Sequence, residues 1–127
     1  PRYRPKDEIV DRARAMGGKV TVVTDPDEAV RDADVLYTDI WVSMGDEQER
    51  TERLQALKSY TMDSRLVAQA SPDALVMHCL PAHRGEEITD EVIEGPQSIV
   101  WDQAENRLHA QKALLVRLVA GRMPAVD

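Results

Sequence analysis

The sequence predicts an α/β fold: a doubly wound, mostly parallel sheet with flanking helices, of the Rossmann-like kind. Segments with helical apolar spacing alternate along the chain with short runs of β-branched and other apolar residues, which is typical of such sheets. Polar residues follow two of these runs, and the carboxyl ends of parallel strands are where such sheets bind ligands. The predicted strands are residues 20–23, 35–38, 74–77 and 98–101.

Two helices are predicted before the second strand. Over residues 6–16 the apolar side chains recur at helical spacing, and a glycine pair follows as a stop signal. The β-branched run at 20–23 indicates a strand. A shorter helix follows, because Asp25 can cap its start and Pro26 suits its first turn. This helix ends near Asp32.

The middle of the chain predicts two more helices. In residues 46–53 six of eight side chains are charged, which indicates the solvated face of a helix whose Leu54 and Leu57 point inward. Residues 64–70 form a short apolar-faced helix before the third strand.

The last third predicts a helix over residues 86–94, which Gly95-Pro96 ends, and a final helix over residues 102–121. Asp102 and Glu105 provide a start resembling a capping box for the final helix. Its apolar stripe comprises Ala104, Leu108, Leu114, Leu115, Leu118 and Val119, with Gln111 at the same spacing.

Composition limits the function classes. The chain has 127 residues, is 43% hydrophobic and 31% charged, and carries a formal net charge of −7 without a basic cluster. This argues for one domain at most and against nucleic-acid or membrane partners. A single cysteine cannot form an internal disulfide, so we expect a cytoplasmic location.

Asp39, Ser43, Met44 and Gly45 follow the strand at 35–38. A carboxylate, a hydroxyl and free backbone N–H groups at a strand tip suit a small zwitterion, with Asp39 and Ser43 for its ammonium group. The alternative is an ordinary strand-to-helix connection in which Asp39 is only a turn residue.

His78, Cys79 and Arg107 form the second candidate group. Cys79 follows the third strand, at the same sheet edge as Asp39, although a lone cysteine there is more often a small apolar filler. His78 alone is more often a satisfied core histidine, and these residues lack the spacing of a metal site. Arg107 falls in the first turn of the predicted last helix, where a positive charge interacts unfavourably with the helix dipole. This position suggests that Arg107 binds an anionic ligand. The alternative is an exposed surface arginine.

Three motifs together resemble the ornithine carbamoyltransferase family, and the resemblance extends over nearly the whole chain. The motifs are Thr-Asp-Ile-Trp-Val-Ser-Met-Gly at 38–45, His-Cys-Leu-Pro-Ala-His-Arg-Gly at 78–85 and Trp-Asp-Gln-Ala-Glu-Asn-Arg at 101–107. Ser-Met-Gly distinguishes this family from the related aspartate carbamoyltransferases.

The resemblance implies that Asp39 and Ser43 hold the α-amino group of L-ornithine, and that the Met44 backbone meets its carboxylate. The implied reaction is transfer of the carbamoyl group from carbamoyl phosphate to the δ-amine, giving citrulline and phosphate in arginine metabolism. This chemistry requires no metal and no organic cofactor.

The resemblance also implies roles at the reacting centre. Cys79 and the Leu80 carbonyl would lie near the δ-nitrogen and the carbamoyl group, and Arg107 would reach the carbamoyl-phosphate side. A cis peptide is implied between Leu80 and Pro81, where it would turn the strand tip sharply.

The family's phosphate-binding Ser-Thr-Arg-Thr motif and its Gly-Asp-Gly-Asn-Asn strand are not in this sequence. We therefore expect residues 1–127 to form most of the C-terminal ornithine-binding domain, without its first strands and without the N-terminal carbamoyl-phosphate domain. We expect an incomplete sheet, no catalysis by this portion alone, and a trimer-based homo-oligomer for the complete enzyme.

Two alternatives stay open. A carbamoyltransferase of the same fold could act on another amine such as putrescine, although a diamine has no carboxylate for Ser-Met-Gly to meet. A non-catalytic binding module could also be derived from this domain.

Overall fold

The structure is a computed structural model that describes residues 3–42 and 47–121. Helices alternate with two parallel strands in this part of the chain, and single 3₁₀ turns at Glu47–Glu49 and Lys58–Tyr60 flank the third helix. The elements are α1 (Asp7–Ala15), α2 (Pro26–Val30), β1 (Val35–Thr38), α3 (Arg50–Leu57), α4 (Ser64–Val67), β2 (Leu75–His78), α5 (Asp90–Ile93) and α6 (Val100–Ala120).

Helices α1, α2 and α4 begin within a residue of where the sequence predicts them, whereas α3 begins only at Arg50, after the 3₁₀ turn at Glu47–Glu49. Asp25 caps α2, because its Oδ1 accepts a hydrogen bond from the Asp27 N–H at 3.0 Å. Asp63 caps α4 in the same way, accepting from the Leu66 N–H at 2.7 Å. In α3 the predicted inward residue Leu54 is half-buried, as is Leu57 at its end.

Strands β1 and β2 pair in parallel, with Val35 opposite Leu75 and Thr38 opposite His78. The strand predicted at 35–38 is confirmed residue for residue, and the strand predicted at 74–77 lies one residue later. Because the two strands are in register, their carboxyl ends meet at one edge of the sheet.

The core lies on one face of this sheet. Side chains alternate between the two faces of a strand, so Leu36 and Val76 are buried and join residues of α2, α4, α5 and α6. On the other face Val35, Tyr37 and Leu75 are 49%, 54% and 40% exposed. The core cluster is Val30, Leu36, Met62, Leu66, Val67, Val76, Ile88, Val92, Ile93 and Val100.

The strand predicted at 98–101 is wrong. The chain after α5 pairs with β2 at one position only, where the Val76 N–H donates to the Gln97 carbonyl at 2.8 Å and the Ile99 N–H donates to the Val76 carbonyl at 3.0 Å. Val100 already begins α6 and is fully buried. A short apolar run fits either a buried strand or the buried first turn of a helix, and the sequence alone does not separate the two.

The strand predicted at residues 20–23 is also wrong. Within the described residues no strand lies beside this segment, and it shares an apolar groove with Ile9 and Ala13 of α1. The Arg14 guanidinium holds it in place through bonds of 3.2 and 3.0 Å to the Val20 carbonyl. β-Branched residues favour a strand only where a ladder partner is present.

The helix predicted over residues 86–94 is reduced to α5. The segment before α5 pairs with Met62 instead: the Met62 N–H donates to the Glu87 carbonyl at 2.8 Å, and the Thr89 N–H donates to the Met62 carbonyl at 3.2 Å. Ile88 between them is fully buried. Glu87 lies in the turn just before this pairing, and its side chain is 0% exposed.

Helix α6 ends at Ala120, followed by Gly121 in the left-handed conformation (φ 67°). Its apolar stripe is largely uncovered, since Leu108, Leu115 and Leu118 are 66%, 60% and 71% exposed. Among the described residues, no helix combines the length and apolar character needed to cross a membrane.

Candidate functional site

The first residues after β1 and β2, Asp39 and Cys79, lie side by side. Thr38 and His78 are paired at the ends of the strands, so the chain leaves the sheet at adjacent positions. The Cys79 thiol donates a hydrogen bond from Sγ to Asp39 Oδ1 at 2.8 Å. The expectation that these residues meet at one sheet edge is confirmed.

The surroundings of Cys79 keep its thiol protonated. Burial raises the pKa of Cys79, and the hydrogen bond to Asp39 and the negative charge of that carboxylate raise this pKa further. Only the thiolate is a strong nucleophile. Cys79 is therefore suited to donating or orienting a hydrogen bond rather than to covalent attack.

Asp39 is itself held by the backbone that follows it. Its Oδ1 also accepts from the Ile40 N–H at 2.7 Å, while the residue as a whole is exposed. An exposed carboxylate with one oxygen so engaged has a second oxygen with which to receive a cationic group.

The chain turns sharply after Cys79. The peptide bond between Leu80 and Pro81 is cis, as the family resemblance implies, and Leu80 has a φ of 55°. The Leu80 N–H donates to His78 Nδ1 at 2.8 Å. Leu80 thus stays close to the end of β2 while its side chain packs partly against the core.

His78 is a satisfied core histidine, as the sequence indicates. It is 1% exposed, and its Nε2 lies 3.2 Å from Glu87 Oε1. Because Nδ1 accepts from the Leu80 N–H, the ring proton belongs on Nε2, which donates to Glu87. Glu87 Oε1 also accepts from the His83 N–H at 2.5 Å.

Gln103 joins both strands to α6. Its Oε1 accepts from the His78 N–H at 3.1 Å, and its Nε2 donates to the Tyr37 hydroxyl at 2.9 Å. Sequence reasoning assigned no role to Gln103 or Glu87. Gln103 belongs to the third motif, which was a usable signal, whereas nothing distinguishes Glu87 from the neighbouring Glu86 within a predicted helix.

Arg107 is not in the first turn of the last helix. Helix α6 begins at Val100 rather than at residue 102, so Arg107 is its eighth residue and the helix-dipole argument does not apply. Arg107 is exposed and lines a cleft of about 590 Å³ together with Cys79 and Gln103. Arg107 and Cys79 therefore line one cleft, although Arg107 does not lie in the helix turn that the sequence predicted. Asp39 is not among the residues that line this cleft.

Ser43 and Met44, the other two residues assigned to ornithine, lie outside the described residues. The chain is described up to Val42, which is buried, and resumes at residue 47.

One group in the described part of the chain could offer atoms to a metal ion. His83, Glu86 and Glu87 each place one such atom within 4.8 Å of the others. However, Glu86 is ion-paired with Arg50 and Glu87 Oε1 already accepts two hydrogen bonds. We therefore assign no metal to this group.

Comparison with known proteins agrees with these motifs. The family model described as aspartate/ornithine carbamoyltransferase, Asp/Orn binding domain, matches residues 1–118. The ornithine carbamoyltransferase of Methanoculleus marisnigri is 91% identical over all 127 residues, which make up 41% of that protein. The chain therefore spans about two fifths of this relative's length.

Solved structures support the α/β fold. The ornithine carbamoyltransferase from Pyrococcus furiosus is 52% identical with a TM-score of 0.78, over 88% of this chain and 37% of that one. The anabolic ornithine carbamoyltransferase from Campylobacter jejuni is 35% identical with a TM-score of 0.85, over 96% of this chain and 42% of that one. This chain belongs to the aspartate/ornithine carbamoyltransferase family, through the Asp/Orn binding domain.

Proposed function

We propose that this chain forms the ornithine-binding part of an ornithine carbamoyltransferase, which transfers the carbamoyl group of carbamoyl phosphate to the δ-amine of L-ornithine. The contact that carries the proposal is the 2.8 Å hydrogen bond between the Cys79 thiol and the Asp39 carboxylate. It joins a carboxylate, which can accept from a cationic group, to a thiol at the adjacent strand tip, and this supports a site for the two amines of a diamino acid.

In this proposal Asp39 and Ser43 bind the α-amino group of ornithine, and the Met44 backbone meets its carboxylate. A charge-assisted bond to the ammonium group is favourable where water is excluded. Asp39 is exposed, and among the described residues its hydrogen bonds, to Ile40 and Cys79, are made by Oδ1, which supports this role.

The reaction proposed is attack by the neutral δ-amine on the carbamoyl carbon. A tetrahedral intermediate forms, the attacking nitrogen gives up one proton to the departing phosphate, and citrulline remains. The raised pKa of Cys79 supports a thiol that orients the δ-nitrogen without attacking it, while Arg107 supplies positive charge where oxyanion and phosphate develop. The Leu80 carbonyl is proposed to face the same reacting groups.

The chain matches 41% of its Methanoculleus marisnigri relative, so we propose that it works with a separate carbamoyl-phosphate-binding domain. Bringing the two substrates into contact between the domains would supply much of the rate enhancement. We further propose a trimer-based homo-oligomer in the cytoplasm, with no metal or organic cofactor.

The test is a graft, in which these 127 residues replace the matching segment of the Methanoculleus marisnigri enzyme. We expect citrulline from ornithine and carbamoyl phosphate, and little carbamoylation of putrescine, which lacks the α-carboxylate. A folded graft that carbamoylates neither amine, or that prefers putrescine, would contradict the proposal. The parent enzyme is the positive control.

A further inference from the structure

The site loop, residues 79–82, is held at both ends by one buried side chain. His78 precedes the loop and donates from Nε2 to Glu87 Oε1 at 3.2 Å. His83 follows the loop and donates its backbone N–H to the same oxygen at 2.5 Å. One carboxylate oxygen thus joins the last residue of β2 to the residue at which the chain leaves the loop.

This clamp is shielded from water. Glu87 is 0% exposed and His78 is 1% exposed, and hydrogen bonds in such surroundings are stronger than in water. A buried carboxylate is also costly unless it accepts hydrogen bonds, and within the described residues its Oε2 has no partner. The two bonds to Oε1 are therefore the ones that offset the burial of Glu87.

The clamp reaches the backbone beside Cys79 through the His78 ring. Glu87 accepts a hydrogen bond from the Nε2–H of His78 and so fixes the tautomer in which Nδ1 is free to accept. Nδ1 receives the Leu80 N–H at 2.8 Å. Glu87 thereby fixes the orientation of the Leu80 peptide indirectly, through His78. Carboxylates orient histidine rings in the same way in other sites.

We infer that Glu87 is a positioning residue for carbamoyl transfer, acting through His78 and His83 on the site loop. It touches no substrate, because it is fully buried beneath the loop. Its effect is to keep the Cys79 thiol beside Asp39 and to keep the Leu80 peptide in place. This inference rests on the proposed function for its catalytic consequence, although not for the clamp itself.

The test uses the graft and three variants. Glu87→Ala removes the clamp. Glu87→Gln keeps an accepting oxygen but removes the charge, and it is the variant that decides if Glu87→Ala does not fold. Glu86→Gln is the matched control, because it makes the same chemical change at the preceding residue, in a half-buried side chain that is ion-paired with Arg50 and is not part of the clamp.

Two measurements report on the loop without catalysis. The first is amide hydrogen exchange at Leu80 and His83, whose N–H groups end the two arms of the clamp. The second is the alkylation rate of Cys79, read from its own peptide by mass spectrometry. We expect Glu87→Ala to accelerate both several-fold, Glu87→Gln to have a smaller effect in the same direction, and Glu86→Gln to have none.

For catalysis, misplacing the loop by about 1 Å should cost roughly 100-fold in kcat for Glu87→Ala, with partial recovery in Glu87→Gln. The folded fraction, measured by thermal denaturation, corrects each rate. Unchanged exchange and alkylation in the folded variants would overturn the clamp. Loosened exchange with an unchanged kcat would overturn the positioning role while leaving the proposed function intact, and an inactive graft would count against that function but not against the clamp.

Discussion

The contact between Asp39 and Cys79 opposes ionisation of the thiol, because a thiolate would lie 2.8 Å from a carboxylate. Burial is the larger cause, and the two together raise the pKa of Cys79 above the ordinary thiol value. A group whose pKa is raised in this way keeps its proton through neutral pH and releases it only in more alkaline solution. Cys79 is therefore a hydrogen-bond donor at the pH where the reaction is expected to run.

The Asp39→Asn variant tests this assignment. Removing the negative charge should lower the pKa of Cys79, so alkylation of the graft at neutral pH should become faster and its pH midpoint should move down. The matched control is Asp73→Asn, since Asp73 is exposed at the opposite edge of the sheet, just before β2. A midpoint that stays in place in Asp39→Asn would mean that burial alone governs the thiol.

The same substitution should separate the two substrates. Loss of a charge-assisted bond to an ammonium group costs about 1.5–3 kcal/mol, so ornithine binding should weaken strongly. Carbamoyl phosphate binding should change little, because its anionic groups are assigned to other residues. Calorimetric titration of each substrate into the graft provides the measurement, and equal losses for both would mean that Asp39 supports the fold instead.

At the scale of secondary structure, the sequence predicts an element well where one local signal suffices. The strand at 35–38 is bounded by polar residues on both sides and is confirmed residue for residue. The run at 20–23 carries an equally strong β signal, yet it forms no strand because pairing depends on a neighbouring strand rather than on its own residues. Capping carboxylates such as Asp25 and Asp63 make helix starts readable locally.

The residues of the site also divide into those that local sequence signals identify and those that depend on tertiary pairing. The motifs bring out Asp39 and Cys79, and parallel pairing of β1 and β2 then makes their contact predictable. Glu87 is not predictable, because its buried position depends on a turn that forms where the chain pairs with the distant Met62. The helix-dipole argument for Arg107 fails, because the start of α6 depends on burial of Val100 in the core.

Gln103 connects α6 with the ends of both strands, and its removal should loosen that edge of the sheet. Gln103→Met keeps the side-chain length but loses the bonds to the His78 N–H and the Tyr37 hydroxyl. Half-exposed bonds of this kind contribute about 1 kcal/mol, which corresponds to about fivefold faster exchange of the His78 amide. Gln111→Met, at an exposed position of the same helix, should leave that exchange unchanged. Equal exchange in both variants would show that α6 is held to the sheet by its core contacts alone.

At the scale of the whole molecule, the described surfaces are unusually apolar in two places. One face of the sheet leaves Val35 and Tyr37 half exposed, and the stripe of α6 leaves Leu108, Leu115 and Leu118 uncovered. Contiguous exposed apolar surface is typical of a region that contacts other protein. A chain that spans 41% of its Methanoculleus marisnigri relative is in keeping with such surfaces.

The last prediction is that these 127 residues, as a separate chain, produce no measurable citrulline. Ser-Thr-Arg-Thr, the phosphate-binding motif of the family, does not occur in the sequence, and Arg107 is one exposed cation that cannot fix a phosphate and a carbonyl together. Positioning of two substrates supplies about 7–11 kcal/mol of barrier lowering in favourable cases, and a site that places only one of them should lose most of that. Citrulline is measured from ornithine and carbamoyl phosphate, for the chain alone and with the remaining part of the Methanoculleus marisnigri enzyme added as a second polypeptide. Turnover only with the second polypeptide would support division of the two substrates between the parts, whereas turnover by the chain alone would mean that its own residues bind carbamoyl phosphate.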